Sequence, residues 1–194
     1  MDSKISAEYA IFKSATENLK YRIFRLGRLS WRTYDGKFQL NPDDNEFLSV
    51  LRLFILLKSV PEELLNMQME ISPIDFCARS IVKLINQNAY KGVFHIMNKN
   101  IVSVGEIISF LNKLDYQIQI LKMEEFMNKF NNLSESLNLK QVMKMCCVFN
   151  NKLTIEHNDR VINVKTRQIL GEDFEWPEIN LKYFEQYFHK FKIK

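Results

Sequence analysis

The residues able to do chemistry in this chain are few, and the first of them come early. Leu26-Gly27-Arg28 closes a β-prone run, Tyr21-Arg22-Ile23-Phe24-Arg25, in which apolar and basic residues alternate. A glycine there lets backbone approach a ligand closely, and an arginine fork suits a phosphate anion. A plain turn and a solvated surface cation are the simpler readings of the same two residues. Asp35-Gly36 follows, a tight-turn dipeptide inside a polar, aromatic-rich loop. Ligands of open α/β sheets bind beyond the carboxyl ends of the strands, so this loop is the expected place for a site. Asp75 follows Pro73 at a helix start, where a carboxylate favours the N-terminal N–H groups and the helix dipole. His95 alternates with apolar neighbours and reads as a packed histidine rather than a base. Three histidines and three cysteines as scattered as these build no metal site.

Those residues need elements to position them. The helical expectations are Ser3–Asn18, Asn45–Val60 (ended by Pro61), Pro73 to about Asn88, a helix capped by Ser103 with Glu106 completing a capping box, Met123–Phe130, Ser134–Cys146, Asn158–Leu170 (stopped by Gly171) and Ile179–Phe191. Strands are expected at Tyr21–Arg25, Met69–Ser72, Lys91–Met97 and Gln117–Leu121. The alternation argues an α/β fold with too few strands for a complete doubly wound sheet. The last helix carries Tyr183, Phe184, Tyr187, Phe188 and Phe191; it reads as core, or, with Phe174 and Trp176, as the apolar wall of a substrate channel.

Composition narrows the class. The chain has 194 residues, 46% hydrophobic and 26% charged, enough for one core or two small ones. A net charge of +4 is spread along the chain, with a small cluster at Lys190–Lys194, so no nucleic-acid partner is expected. Cys77, Cys146 and Cys147 form neither a disulfide framework nor a zinc spacing, which fits a cytoplasmic protein. Met1-Asp2-Ser3-Lys4 leads straight into an amphipathic pattern, so no secretory signal is expected. The apolar run Leu53–Leu57 is far too short to span a bilayer.

Several blocks together carry a family resemblance. Arg25-Leu26-Gly27-Arg28-Leu29 with Asp35-Gly36-Lys37-Phe38-Gln39-Leu40-Asn41, then Met69-Glu70-Ile71-Ser72-Pro73-Ile74-Asp75-Phe76-Cys77-Ala78, then Gly92-Val93-Phe94-His95-Ile96-Met97-Asn98, stand in this order. They resemble the segments that follow the catalytic helix in thioester reductase domains, the terminal, extended short-chain-dehydrogenase-like domains of nonribosomal peptide synthetases. The usual family form R-x-G-x-[LI] often has proline where this chain has Leu26.

The resemblance implies an incomplete Rossmann-like fold: the last sheet strands plus a mostly helical substrate-binding subdomain. It implies a dinucleotide-domain remnant over 1–100, with a substrate-loop segment 30–68 interleaved, and a substrate-binding lid over 101–194. Lys4 aligns with the lysine of the family's Y-x-x-x-K helix, and the tyrosine falls one position before Met1. By resemblance Lys4 is the catalytic and cofactor-binding lysine, and Leu26, Gly27 and Arg28 lie against the nicotinamide and the thioester. The cofactor implied is NADPH, and the partners are a phosphopantetheinylated carrier protein and an N-terminal dinucleotide-binding half. The five glycines nowhere form a dinucleotide fingerprint, so tight NADPH binding and turnover by this chain alone are not expected. The other readings are a non-catalytic module that docks a carrier protein or partner subunit, and an extended dehydrogenase acting on nucleotide sugars.

Overall fold

The computed structural model describes residues 2–14, 21–41, 45–87, 91–134 and 163–189. Cys146, Cys147, His157, Phe191, the Lys190–Lys194 cluster and the helix expected beyond Ser134 lie outside these residues. So does the 158–162 start of the helix expected up to Leu170.

Helix α1 covers Asp2–Ser14, and strand β1, Arg22–Leu26, follows it. β1 pairs in parallel with β6, Gly92–Ile96, in the register Arg22↔Gly92 to Leu26↔Ile96. The short strand β2, Leu29–Ser30, pairs in parallel with β5, Ser72–Pro73. Helix α2, Glu46–Leu57, is capped by Asn45, whose side chain accepts from the Leu48 N–H. It ends before Pro61: Lys58 turns left-handed at φ 46°, and Ser59–Pro61 become strand β3, parallel to β8, Gln119–Leu121. Val60 is fully buried, and a straight helix could not deliver it to that pairing.

The strand expected as one run from Met69 to Ser72 is divided at Ile71. Gln68–Glu70 (β4) runs antiparallel to Ile101–Ser103 (β7), while Ser72–Pro73 joins β2. Helix α3 covers Ile74–Ile85 and helix α4 Val104–Lys113, with the Ser103–Glu106 capping box formed. Helices α5 (Met123–Ser134), α6 (Val164–Leu170, closed by Gly171) and α7 (Leu181–Phe188, capped by Asn180) complete the described chain.

These elements bury two cores. The smaller one joins Phe94 and Ile96 of β6 to Cys77 and Leu84 of α3, Leu170 of α6 and Trp176. The larger one gathers α2, β3, β4, β7, α4, α5 and α7 around Trp31. Trp31 is fully buried; Tyr187 and Tyr183 stack on it at 4.5 and 4.9 Å, and Phe184 and Phe188 meet it edge-on. Its indole Nε1 donates to the Tyr183 carbonyl at 2.9 Å, so the polar end of the ring is satisfied. The cores divide by packing and not at one position in the chain, since Leu170 and Trp176 sit with β1 and β6 while Ile179 and α7 sit with Trp31.

Candidate functional site

β1 and β6 end together, and their ends carry the residues that the sequence singles out. The ladder continues one step past the strands, the Gly27 N–H donating to Ile96 O at 2.9 Å. Beyond that step the next free donors of both strands turn to one carboxylate. The Arg28 N–H donates to Glu70 Oε2 at 2.7 Å, and the Asn98 N–H to Glu70 Oε1 at 3.1 Å. The Ser72 hydroxyl donates to Glu70 Oε1 as well, and it also accepts from the Asn98 N–H at 3.0 Å. Glu70 is half-buried on β4, so its side chain reaches from the larger core onto the strand ends of the smaller one.

Asn98, 3% exposed, extends this polar junction. Its Nδ2 donates to Ile71 O and Pro177 O, at 3.0 and 3.2 Å, and its Oδ1 accepts from the Asn100 N–H at 2.9 Å. Asn100 Nδ2 donates to Trp176 O at 3.0 Å. Each passage of the chain between the cores (27–30, 70–73, 98–101 and 176–179) is therefore tied to the others by buried polar groups with partners, as burial requires. A second carboxylate bridges nearby: Asp75 accepts from the Thr33 hydroxyl at 2.6 Å and from the Thr33 N–H at 3.2 Å. Asp75 does lie in the first turn of α3, as expected for a helix start, but its hydrogen bonds go to the 31–37 loop.

Leu26, Gly27 and Arg28 lie at the carboxyl end of β1. Leu26 is 40% exposed, and the Arg28 side chain is exposed. Lys4 is exposed on α1. Phe12 packs edge-on against Tyr21, and Glu8 receives Arg25 Nε at 3.0 Å, so α1 runs antiparallel to β1. Lys4, one helical turn beyond Glu8 on the same face, is thus carried toward the Leu26–Arg28 end. Gly27 has a purpose the sequence did not disclose. A Cβ built there would overlap the Glu70 carboxylate, so the missing side chain makes room for a protein group.

The Asp35-Gly36 turn also serves packing. Gly36 has φ +65°, and a Cβ there would run into the Gln186 carbonyl of α7. Asp35 accepts from Arg32 Nε at 2.9 Å and from the Lys37 N–H at 3.0 Å, which closes the loop on itself. The channel-wall reading of α7 is corrected: Tyr183, Phe184, Tyr187 and Phe188 are at most 4% exposed and fill the core around Trp31. Phe174 and Trp176 do line an open cleft of about 730 Å³, with Lys99, Arg167 and Leu170 among its other walls.

Burial decides the state of two titrating groups near the junction. Burial, and after it the charge of Glu70, pushes the Cys77 thiol up to about 12, so it stays protonated and inert. Burial likewise pushes the Tyr183 phenol up, and its hydroxyl donates to Trp31 O at 2.8 Å. His95 is half-buried beside Arg25; burial first, and then the guanidinium, lower its pKa. Among the described residues no group of His, Cys, Asp or Glu could hold a metal ion, and no helix is long and apolar enough to cross a membrane.

The Glu70 carboxylate stands against Gly27, and a carboxylate repels phosphate; Lys4, Leu26 and Arg28 are each exposed. The residues that organise the junction, Glu70, Ser72, Asn98 and Asn100, were not singled out from the sequence. Three of them lie inside the resemblance blocks, which was the available signal.

No protein-family model matches the sequence, and no curated protein does. Solved structures do. A thiolation-reductase di-domain from an archaeal non-ribosomal peptide synthetase matches 94% of this chain and 38% of its own, at 28% identity and a TM-score of 0.77. The terminal R domain of the myxalamid PKS-NRPS pathway matches 96% of this chain and 47% of its own, at 17% identity and 0.79. The reductase (R) domain of a nonribosomal peptide synthetase from Mycobacterium tuberculosis matches 88% and 45%, at 17% identity and 0.61. At 17% identity these last two bear on the fold alone. The chain spans less than half the length of each of these structures. Its mixed α/β architecture of short parallel pairs is a partial Rossmann-like fold, and sequence blocks and fold agree that the chain is similar to the C-terminal part of a terminal thioester reductase domain.

Proposed function

We propose that this chain contributes the substrate-binding part, and the reaction-facing loop 26–28, of an NADPH-dependent thioester reductase. Such an enzyme releases a carrier-bound acyl or peptidyl thioester as an aldehyde or alcohol. The observation that carries the reading is the likeness to the thiolation-reductase di-domain over 94% of the chain, at 28% identity. The position of Leu26, Gly27 and Arg28 at the carboxyl end of β1 supports it, because ligands of α/β sheets sit there.

In this reading an N-terminal dinucleotide-binding half supplies the phosphate cradle and the proton-donating tyrosine, and Lys4 faces the cofactor. The 194 residues alone bind NADPH weakly and do not turn over. The dinucleotide-side unit of residues 1–100, less its interleaved 30–68 segment, takes in residues 163–177 as well, since these pack with β6 and α3. The partner half docks at the edge of β1 and along α1, where Ile5 and Tyr9, one turn apart, are 62% and 68% exposed. A carrier protein with its phosphopantetheine arm delivers the thioester.

The test is NADPH consumption with an acyl-pantetheinyl carrier, first with the chain alone and then with a complementing N-terminal half added. Turnover only in the combined sample is expected. Turnover by the 194 residues alone, or none after combination, would contradict the proposal.

A further inference from the structure

We infer that Glu70 is a positioning residue, a carboxylate on the larger core that sets where the 26–28 loop of the smaller core lies. The inference rests on the reading that this loop faces the reacting centre; the geometry behind it stands separately. β1 and β6 run in register as far as Leu26 and Ile96, and one further ladder bond joins Gly27 to Ile96. Past that point the chain after β1 passes into the β2–β5 pairing, where Arg28 O accepts from the Ser72 N–H at 2.8 Å, and the Arg28 and Asn98 N–H groups turn to side-chain acceptors. Glu70 takes a backbone donor from each end, one on each carboxylate oxygen, and Ser72 donates a third hydrogen bond that fixes the carboxylate's rotation.

Hydrogen bonds to an ionised acceptor are about twice as strong as neutral ones, so the Glu70 carboxylate holds these amides more firmly than a carbonyl would. Gly27 gives the second sign of a built arrangement. Its backbone is not in the left-handed region, so its conformation does not demand glycine; the space taken by the Glu70 carboxylate does. Glu70 itself sits on β4, which is paired to β7 and packed into the core around Trp31 through Met69. The Arg28 backbone is thus held at its carbonyl by the Ser72 N–H of the β2–β5 pairing, at 2.8 Å, and at its N–H by Glu70, so Glu70 sets the N–H side of the loop. Neither the Arg28 guanidinium nor any cofactor group is needed for this link.

The test is amide hydrogen exchange on the 194-residue chain, comparing Glu70→Ala, Glu70→Gln and Gly27→Ala with the parent. In Glu70→Ala the Arg28 amide exchanges about 10-fold faster or more, while Asn98, whose N–H keeps the Ser72 hydroxyl as an acceptor, changes less, and the ladder amide of Phe94 and the helical amide of Leu111 are unchanged. Glu70→Gln replaces the carboxylate by a neutral acceptor, so Arg28 speeds up by less than in Glu70→Ala. Gly27→Ala displaces the carboxylate and reproduces the alanine pattern at Arg28. If Arg28, Phe94 and Leu111 speed up by one common factor, Glu70 acts only through global stability and the inference fails. Unchanged exchange at Arg28 also overturns it. Should Glu70→Ala not fold, the acceleration confined to Arg28 in Glu70→Gln decides.

The reaction itself provides a separate arm. In the complex with the complementing half, Glu70→Gln should lower kcat about 10-fold and leave the KM for NADPH unaltered, because the cofactor's own grip is untouched. Full kcat in a variant whose loop exchange has risen would end the positioning role. A parent complex with no turnover would sink the reductase reading instead, and exchange alone would then decide whether Glu70 sets the loop.

Discussion

The two cores of this chain are built on opposite plans. The one around Trp31 is closed: its aromatic rings stack at 4.5 and 4.9 Å, the Trp31 indole N–H and the Tyr183 hydroxyl find backbone or hydroxyl partners, and helices wall it on several sides. The one around Phe94 is thin: β1 and β6 form a two-stranded sheet, and α1 touches it through Glu8 and Phe12 while Ile5, Tyr9, Val82 and Ile85 stay exposed. A two-stranded sheet is marginal without packing on its faces. The contrast teaches where the independent stability of the chain resides. It lies in the part packed around Trp31, while the part that carries α1 and loop 26–28 is tied to its neighbour through Glu70 and Asp75.

The sharpest way to break that contrast is Trp31→Ala. Removing a fully buried indole should cost about 4 kcal/mol and unfold the larger core, visible as loss of near-ultraviolet circular dichroism. The matching change in the thin core, Phe94→Ala, should cost about 3 kcal/mol locally and leave the Trp31 signal in place. Loss of the Trp31 signal in Phe94→Ala would mean that the cores fold as one unit. Gly36→Ala adds a methyl to a left-handed residue pressed on the α7 backbone, so a loss of about 2 kcal/mol in urea unfolding is expected. Thr33→Val removes the hydroxyl donor to Asp75 and should cost about 1 kcal/mol, with faster exchange at the start of α3 while the Trp31 core stays protected.

The smallest effect is a pH dependence confined to the thin core. Arg25 and Glu8 face His95, and burial and Arg25 hold its folded pKa below the usual 6.5. The unfolded chain therefore binds the extra proton first as pH falls. The associated stability is complete above about pH 6.5 and is lost as pH drops through the lowered folded value. The melting temperature should fall slightly between pH 7 and pH 5, and His95→Gln should flatten that slope. A slope unchanged by His95→Gln would assign it to other groups.

Much of the scaffold could be read from local pattern. Ser103 and Glu106 announced their capping box, Gly171 stopped α6, and alternation marked β1 and β6, because each signal is local. What escaped reading depended on residues far apart in the chain. Gly27 reads either as a glycine that lets a ligand approach or as a plain turn, and nothing near it in sequence reveals that the Glu70 carboxylate stands against it. Trp31 was not singled out, since Tyr183, which takes its indole hydrogen bond, stands 152 residues away. Lys58 is no obvious helix terminator; the pairing of Val60 with Ile120 is what stops α2 there. The site residues themselves rested on resemblance, and the placement of Leu26, Gly27 and Arg28 at the carboxyl end of β1 is geometry that the sequence could only suggest.

The seat of Gly36 on α7 has a consequence for how the chain is made. Trp31 leaves the ribosome long before Tyr183, and at about 5–20 residues per second the gap lasts on the order of 10 seconds. During that interval a large indole and the apolar flank of α2 have no lid, and only the arrival of the final helix lets them close. Occupancy by a holdase chaperone during synthesis should therefore end when residue 188 emerges.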